Sequence, residues 1–293
     1  MIKIHRPAIA RLLMSRQSER VVIPGGEGPD LAAIFERPTD AETRGWIVFC
    51  HCFTCSKDLK TLVRICRSLA EVGWATVRFD FAGVGQSGGV FAETNFDTNL
   101  RDLCTVCGHL EGLGHAVDFV AGHSFGGVAA TYAAAKWLEG GVRTCRGVIT
   151  LAAPSNTAHL ADTLAAMNPQ IESRGRGGVT IGGLGWEIDR QMLENFRSHD
   201  YRVELLDARR GRAVPHLLLH SMADETVDYS HGTRLYNLLR VPTGNPASHD
   251  VSFVTLPHSN HLLTGGPGEV DEVVRLIDLW CSARVAPSKL NSP

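Results

Sequence analysis

The hydrophobic pattern of the chain alternates between two periods. Short continuous apolar runs at Trp46–Cys50 (WIVFC), Ala75–Phe81, Ala116–Ala121, Arg146–Ala153, Pro215–Met222 and Val251–Leu256 have the length and density of strands buried on both faces of a sheet. Between them lie stretches with helical spacing. Asp58–Val72 carries apolar residues at 59, 62, 63, 66, 69 and 70 and is stopped by Gly73. Helices are likewise expected over Asn95–Leu110, Val128–Leu138, Tyr229–Leu239 and Glu269–Trp280. At the front, Glu19–Ile23 and Leu31–Glu36 alternate around a Pro/Gly-rich turn and predict a β-hairpin. Strands and helices in strict alternation imply an α/β protein with a mainly parallel sheet and helices on both faces. Ligands of such sheets bind at the carboxyl ends of the strands.

One region breaks the alternation. Residues 155–214 are polar and glycine-rich, with a hairpin expected from Val179–Ile181 and Gly185–Ile188 and a helix over Asp189–Arg197. We read this as a small lid insertion, which divides the chain into a basic N-terminal segment (1–18), a core (19–154 and 215–284), the lid (155–214) and a tail (285–293). The RGRGG run at Arg174–Gly178 is a single copy beside a strand and reads as a turn, not an RNA-binding element.

The chemistry centres on AVDFVAGHSFGGVAA, Ala116–Ala130. Gly122-His123-Ser124-Phe125-Gly126 is a G-x-S-x-G pattern between a strand and an Ala-rich helix. That context makes it a nucleophile elbow. The tight turn holds its central residue in a strained conformation, and the flanking glycines remove side chains that would clash. A serine hydroxyl needs a base, normally a histidine oriented by a carboxylate, and in this topology the order is Ser, acid, His. Asp224 directly follows one late strand and His261 follows the next, which makes Ser124, Asp224 and His261 the candidate catalytic residues. Glu225 and Asp228 are rivals for the acid, and His258 for the base. The oxyanion donors expected are the amides of Phe125 and Phe53, with Cys52 as runner-up to Phe53. Cys52 and His123 are candidates for the substrate site.

Composition narrows the reading. A net charge of −2 in 293 residues gives no ground for a nucleic-acid or membrane partner. No apolar run reaches spanning length. The first 17 residues carry four basic side chains but no signal-peptide core, so a surface helix is expected there and a cytoplasmic location for the chain. Eight cysteines without a leader point to free thiols. Neither Cys50/Cys52/Cys55 nor Cys104/Cys107 has a second half-site, so no metal is expected. Gly83, Gly85 and Gly88 spell G-x-G-x-x-G after a strand, yet the third glycine lies in loop ahead of the helix, so no nucleotide cofactor is expected.

His51 and Phe53 (H-x-F), Asp80-x-x-Gly83-x-Gly85-x-Ser87, G-H-S-F-G-G, D-x-x-V and the final histidine together resemble the α/β-hydrolase superfamily over residues 20–284. HCFTCSKD, RFDFAGVGQSGG and ETNFDTN are similar to a narrower group, hydrolase domains fused to OsmC-type domains and related to feruloyl and cinnamoyl esterases. The resemblance implies a serine esterase with a short lid, acting on a small-molecule ester. Cys52 stands where those esterases have glycine, and no OsmC-type domain is expected after the last helix. Acyl transfer by the same triad, a non-catalytic binding protein and a redox protein using Cys52 and Cys55 are the alternatives. A homodimer is left open.

Overall fold

The computed structural model describes residues 14–140, 145–199, 214–240 and 250–285. Its centre is an eight-stranded sheet. The strands are β1 (Arg16–Ile23), β2 (Leu31–Pro38), β3 (Trp46–Cys50), β4 (Ala75–Phe79), β5 (Val117–His123), β6 (Gly147–Leu151), β9 (His216–Ser221) and β10 (Val251–Leu256). They lie in the order β1-β2-β4-β3-β5-β6-β9-β10. The β1–β2 hairpin and the β2–β4 pair are antiparallel, and every pairing from β4 to β10 is parallel.

Period-2 alternation in β3 explains the two-faced core. Trp46, Val48 and Cys50 face one apolar layer, while Ile47 and Phe49 face the other. On the first face lie α2 (Phe96–Gly112), α3 (Phe125–Gly140) and α7 (Tyr229–Leu239). On the second lie α1 (Lys60–Glu71) and α8 (Glu269–Ser282). The start of α2 is set by a reciprocal capping box between Asn95 and Thr98.

Between β6 and β9 the chain forms α4 (Ala158–Met167), α5 (Gln170–Arg174), the two-stranded β7 (Arg176–Ile181) and β8 (Leu184–Asp189), and α6 (Arg190–Ser198). The hairpin and α6 match the sequence reading. The two helices ahead of them lie where the sequence pattern predicts no element. Only Ala161 and Leu164 of α4 and Ile171 of α5 are buried, too sparse an apolar stripe to announce a helix. Helix α3 begins at Phe125, three residues earlier than its apolar run suggested, since glycines 126 and 127 sit inside its first turn. The surface helix expected near the N-terminus falls largely outside the described residues. No described helix is long and apolar enough to cross a membrane.

Candidate active site

Ser124 occupies the single residue between β5 and α3. Its φ of 54° is left-handed, a region a side chain enters only when its surroundings hold it there. Two backbone bonds do so: Ser124 N–H donates to Leu151 O at 2.8 Å, and Gly127 N–H donates to Ser124 O at 2.9 Å. The glycines are required by space. A Cβ on Gly122 would lie 2.1 Å from Gly126 O. One on Gly126 would lie 2.4 Å from Cys50 O and 2.5 Å from His51 O. The missing side chain at 126 therefore lets the loop after β3 close onto the elbow.

Four non-glycine residues among those described have positive φ: Thr54, Ser124, Ala152 and Leu263. Each follows the carboxyl end of a parallel strand, β3, β5, β6 and β10 respectively. Strain of this kind gathers where backbone is shaped for function.

The acid and base candidates meet. His261 Nδ1 lies 2.8 Å from Asp224 Oδ2 and 3.1 Å from Oδ1. Asp224 Oδ1 also accepts the amides of Thr226 and Val227, both at 2.9 Å. Burial pushes the Asp224 carboxyl up, but the His261 bond and these two amides outweigh it and hold the pKa below its ordinary value. Its rivals are elsewhere. Glu225 and His258 are exposed, and Asp228 caps α7 by accepting Ser230 N–H at 2.9 Å.

His123, a candidate for the substrate site, is spoken for beneath it. Its ring is buried and its Nε2 lies 2.7 Å from the carbonyl oxygen of His261, so Nε2 carries the proton and donates. The two rings stand 4.9 Å apart, tying the residue beside Ser124 to the residue that carries the base. Burial first, then the neighbouring His261, lowers the His123 pKa to about 4. No local pattern announces this bond, which joins residues 138 positions apart.

The loop after β3 carries the other amide candidate. His51 is buried; its Nε2 accepts Phe81 N–H at 3.1 Å, which makes Nδ1 the donor to Cys52 O at 2.7 Å. The Phe53 ring meets Phe125 at 5.7 Å and Phe91 at 5.4 Å. Phe125 opens α3, where first-turn amides have no carbonyl one turn back to bond. The free-thiol expectation is corrected at Cys52 and Cys55, which form a disulfide across the loop with Cα atoms 5.3 Å apart. C-x-x-C spacing permits that bond, which a count of cysteines over the whole chain does not reveal.

Downstream, Lys57 is buried and answers to Asp80. Its Nζ lies 2.8 Å from Asp80 Oδ2 and its amide donates to Oδ1 at 2.6 Å. A Cβ on Gly85 would fall 2.2 Å from Asp80 Oδ2. Of the glycines that spell a nucleotide motif, Gly85 thus packs against the protein's own carboxylate, while Gly83 packs against the Phe91 backbone. No group of three or more metal-ligating side chains is found among the described residues.

This architecture, with Ser124 between strand and helix at the carboxyl rim of a mostly parallel sheet, is the α/β-hydrolase fold. The sequence matches the hydrolase family model "Serine aminopeptidase, S33" over residues 41–173. The esterase domain of a Rhodothermus marinus protein is 28% identical, covers 92% of this chain and 100% of its own, and superposes with a TM-score of 0.67. Est1E of Butyrivibrio proteoclasticus, solved with ferulic acid bound, is 21% identical over 90% of this chain and 99% of its own, with a TM-score of 0.69. A serine hydrolase without a lid from Xanthomonas campestris, XC6422, is 19% identical over 97% of this chain and 100% of its own, at a TM-score of 0.61. No curated protein sequence matches the chain.

Proposed function

We propose that the protein is a serine hydrolase of carboxylic esters, working through an acyl-Ser124 intermediate. The observation that carries this reading is the left-handed Ser124 in the same rim as the Asp224–His261 pair. The likeness to the Rhodothermus esterase domain supports the ester class.

In this mechanism Asp224 accepts a hydrogen bond from His261 Nδ1–H, which fixes the tautomer and leaves Nε2 as the base. The contact from Nε2 to Ser124 Oγ is the step the proposal adds, and such contacts tighten when substrate binds. Ser124 Oγ attacks the ester carbonyl as Nε2 takes its proton. The amides of Phe125 and Phe53 receive the oxyanion, each such donor contributing ~10²- to 10³-fold in rate. His261 then protonates the leaving alcohol, and a water activated by the same ring releases the acid. Because Asp224 is held ionised by its own amides, the imidazolium has its counter-charge ready before chemistry begins.

The test is hydrolysis of p-nitrophenyl acetate and butyrate. Ser124→Ala abolishes turnover, by about 10³-fold or more, while circular dichroism and the melting temperature stay near wild type. Undiminished hydrolysis by that variant ends the proposal.

A further inference from the structure

The Cys52–Cys55 disulfide lies inside the loop assigned an oxyanion donor, and the mechanism above gives it no part. The loop is anchored on either side of it. At one end the His51 ring accepts Phe81 N–H. At the other, the amide and ammonium of Lys57 are both held by Asp80. Between these anchors the turn is closed by the bond between the two sulfurs and by Cys55 N–H donating to Cys52 O at 3.1 Å. Thr54, within the turn, has a φ of 59°, a conformation a β-branched residue keeps only under constraint. Phe53, the residue whose amide is assigned to the oxyanion, lies between the two cysteines. The two residues differ in access: Cys52 is buried, whereas Cys55 is partly exposed.

We propose that Cys52–Cys55 is a thiol–disulfide exchange site, taking a dithiol as its reductant, and that its oxidised form holds the oxyanion loop in the shape that supports ester hydrolysis. The second half of this rests on the function proposed above. A thiolate of the dithiol attacks the sulfur of Cys55, the more exposed residue. A mixed disulfide forms there, and Cys52 leaves as a thiolate that takes up a proton. The second thiolate of the reductant then attacks its own sulfur in the mixed disulfide and expels Cys55, which is protonated in turn. Two electrons and two protons pass to the protein, and the reductant leaves as its disulfide. Oxidation is the reverse reaction with that disulfide form. With the bond open, the anchors at His51 and Lys57 stay in place while Thr54 relaxes out of the left-handed region. The Phe53 amide turns with it. The change is confined to the turn, so the rate of chemistry falls while the fold survives.

The experiment uses the whole protein, oxidised with oxidised dithiothreitol and reduced with dithiothreitol. Intact mass and thiol counting follow the bond, and p-nitrophenyl butyrate kinetics follow the site. We expect the reduced protein to be two mass units heavier and to show two more thiols. Its kcat falls about tenfold or more, with KM changed far less and the circular dichroism spectrum retained. Reoxidation restores kcat. Cys55→Ser stays at the reduced rate and ignores dithiothreitol. An unchanged kcat on verified reduction overturns the proposal, as does failure of the disulfide to form under oxidation. If the oxidised protein cleaves no ester and Ser124→Ala changes nothing, the esterase reading is what fails. The mass shift and thiol count then decide the exchange site alone.

Discussion

The rim of the sheet and the inserted segment between β6 and β9 are built on opposite principles. At the rim, positions are fixed by backbone touching backbone. Gly126 has carbonyl oxygens where its Cβ would be, and Ser124 is pinned by main-chain bonds on both sides. In the insertion, positions are fixed by side chains: Ile171, Met192, Leu193 and Phe196 are buried in the core, and polar groups reach across around them. Arg197 holds Asp162 at 3.0 Å and Glu172 at 2.5 Å, and Arg176 pairs with Asp189. Gln191 donates to Ala92 O and Thr94 O, and Asn195 accepts Phe96 N–H at 2.9 Å. Gly185 of its hairpin has room: nothing lies within 4 Å of a Cβ built there. The first kind of order tolerates no added atom. The second yields one ion pair at a time.

A matched pair of glycine substitutions separates the two regions by the largest effect. Gly126→Ala drives a methyl into the Cys50 and His51 carbonyls, and overpacking of this kind costs about 1–3 kcal/mol. We expect hydrolysis to fall by about a hundredfold or more, because the loop bearing Phe53 is pushed off the elbow. Gly185→Ala, at a position with open space and ordinary backbone, leaves rate and melting temperature near wild type. Kinetics and thermal melts of both variants check this.

The second prediction concerns acid. The His123 pKa is about 4 in the folded protein against an ordinary 6.5. Between those values the unfolded chain binds the proton that the native state refuses, so stability rises with pH from about 4 to 6.5 and is fully present above. At about 1.4 kcal/mol per pH unit this window is worth about 3 kcal/mol. His51, His220 and His231 are lowered too, first by burial, and act in the same direction. His123→Gln keeps a donor for the His261 carbonyl but cannot titrate. Its melting temperature should therefore fall less than wild type's between pH 7 and pH 5. Parallel curves for the two proteins would contradict the assignment.

The smallest effect is expected in the insertion. Arg197→Ala removes two exposed ion pairs, together worth about 1 kcal/mol or less. It should leave kcat on a small ester unchanged and raise KM severalfold for a bulky one, the signature of lost uniform binding. A matched loss of kcat on both esters would show that the insertion takes part in the chemistry.

The same contrast explains what could be read in advance. The elbow at Ser124 and the meeting of Asp224 with His261 were legible because elbow spacing and strand order leave few places for them, and the central strands announce themselves as unbroken apolar runs. The double-sided burial of Trp46–Cys50 is one such case. Helices α4 and α5 were not legible, since their order comes from partners far along the chain, such as Thr157 Oγ1 on Phe196 O. Two features of the site were hidden for other reasons. The oxidation state of Cys52 and Cys55 depends on a local approach of side chains, not on composition. The role of His123 depends on a carbonyl that only the folded topology delivers.

The proposed chemistry turns on one serine, held in a left-handed elbow, as the nucleophile. The most direct measurement is labelling with a fluorophosphonate, followed by peptide mass spectrometry. One adduct per chain is expected, on Ser124, abolished in Ser124→Ala and strongly slowed in His261→Ala. An adduct on another residue, or none on a folded protein, would contradict it.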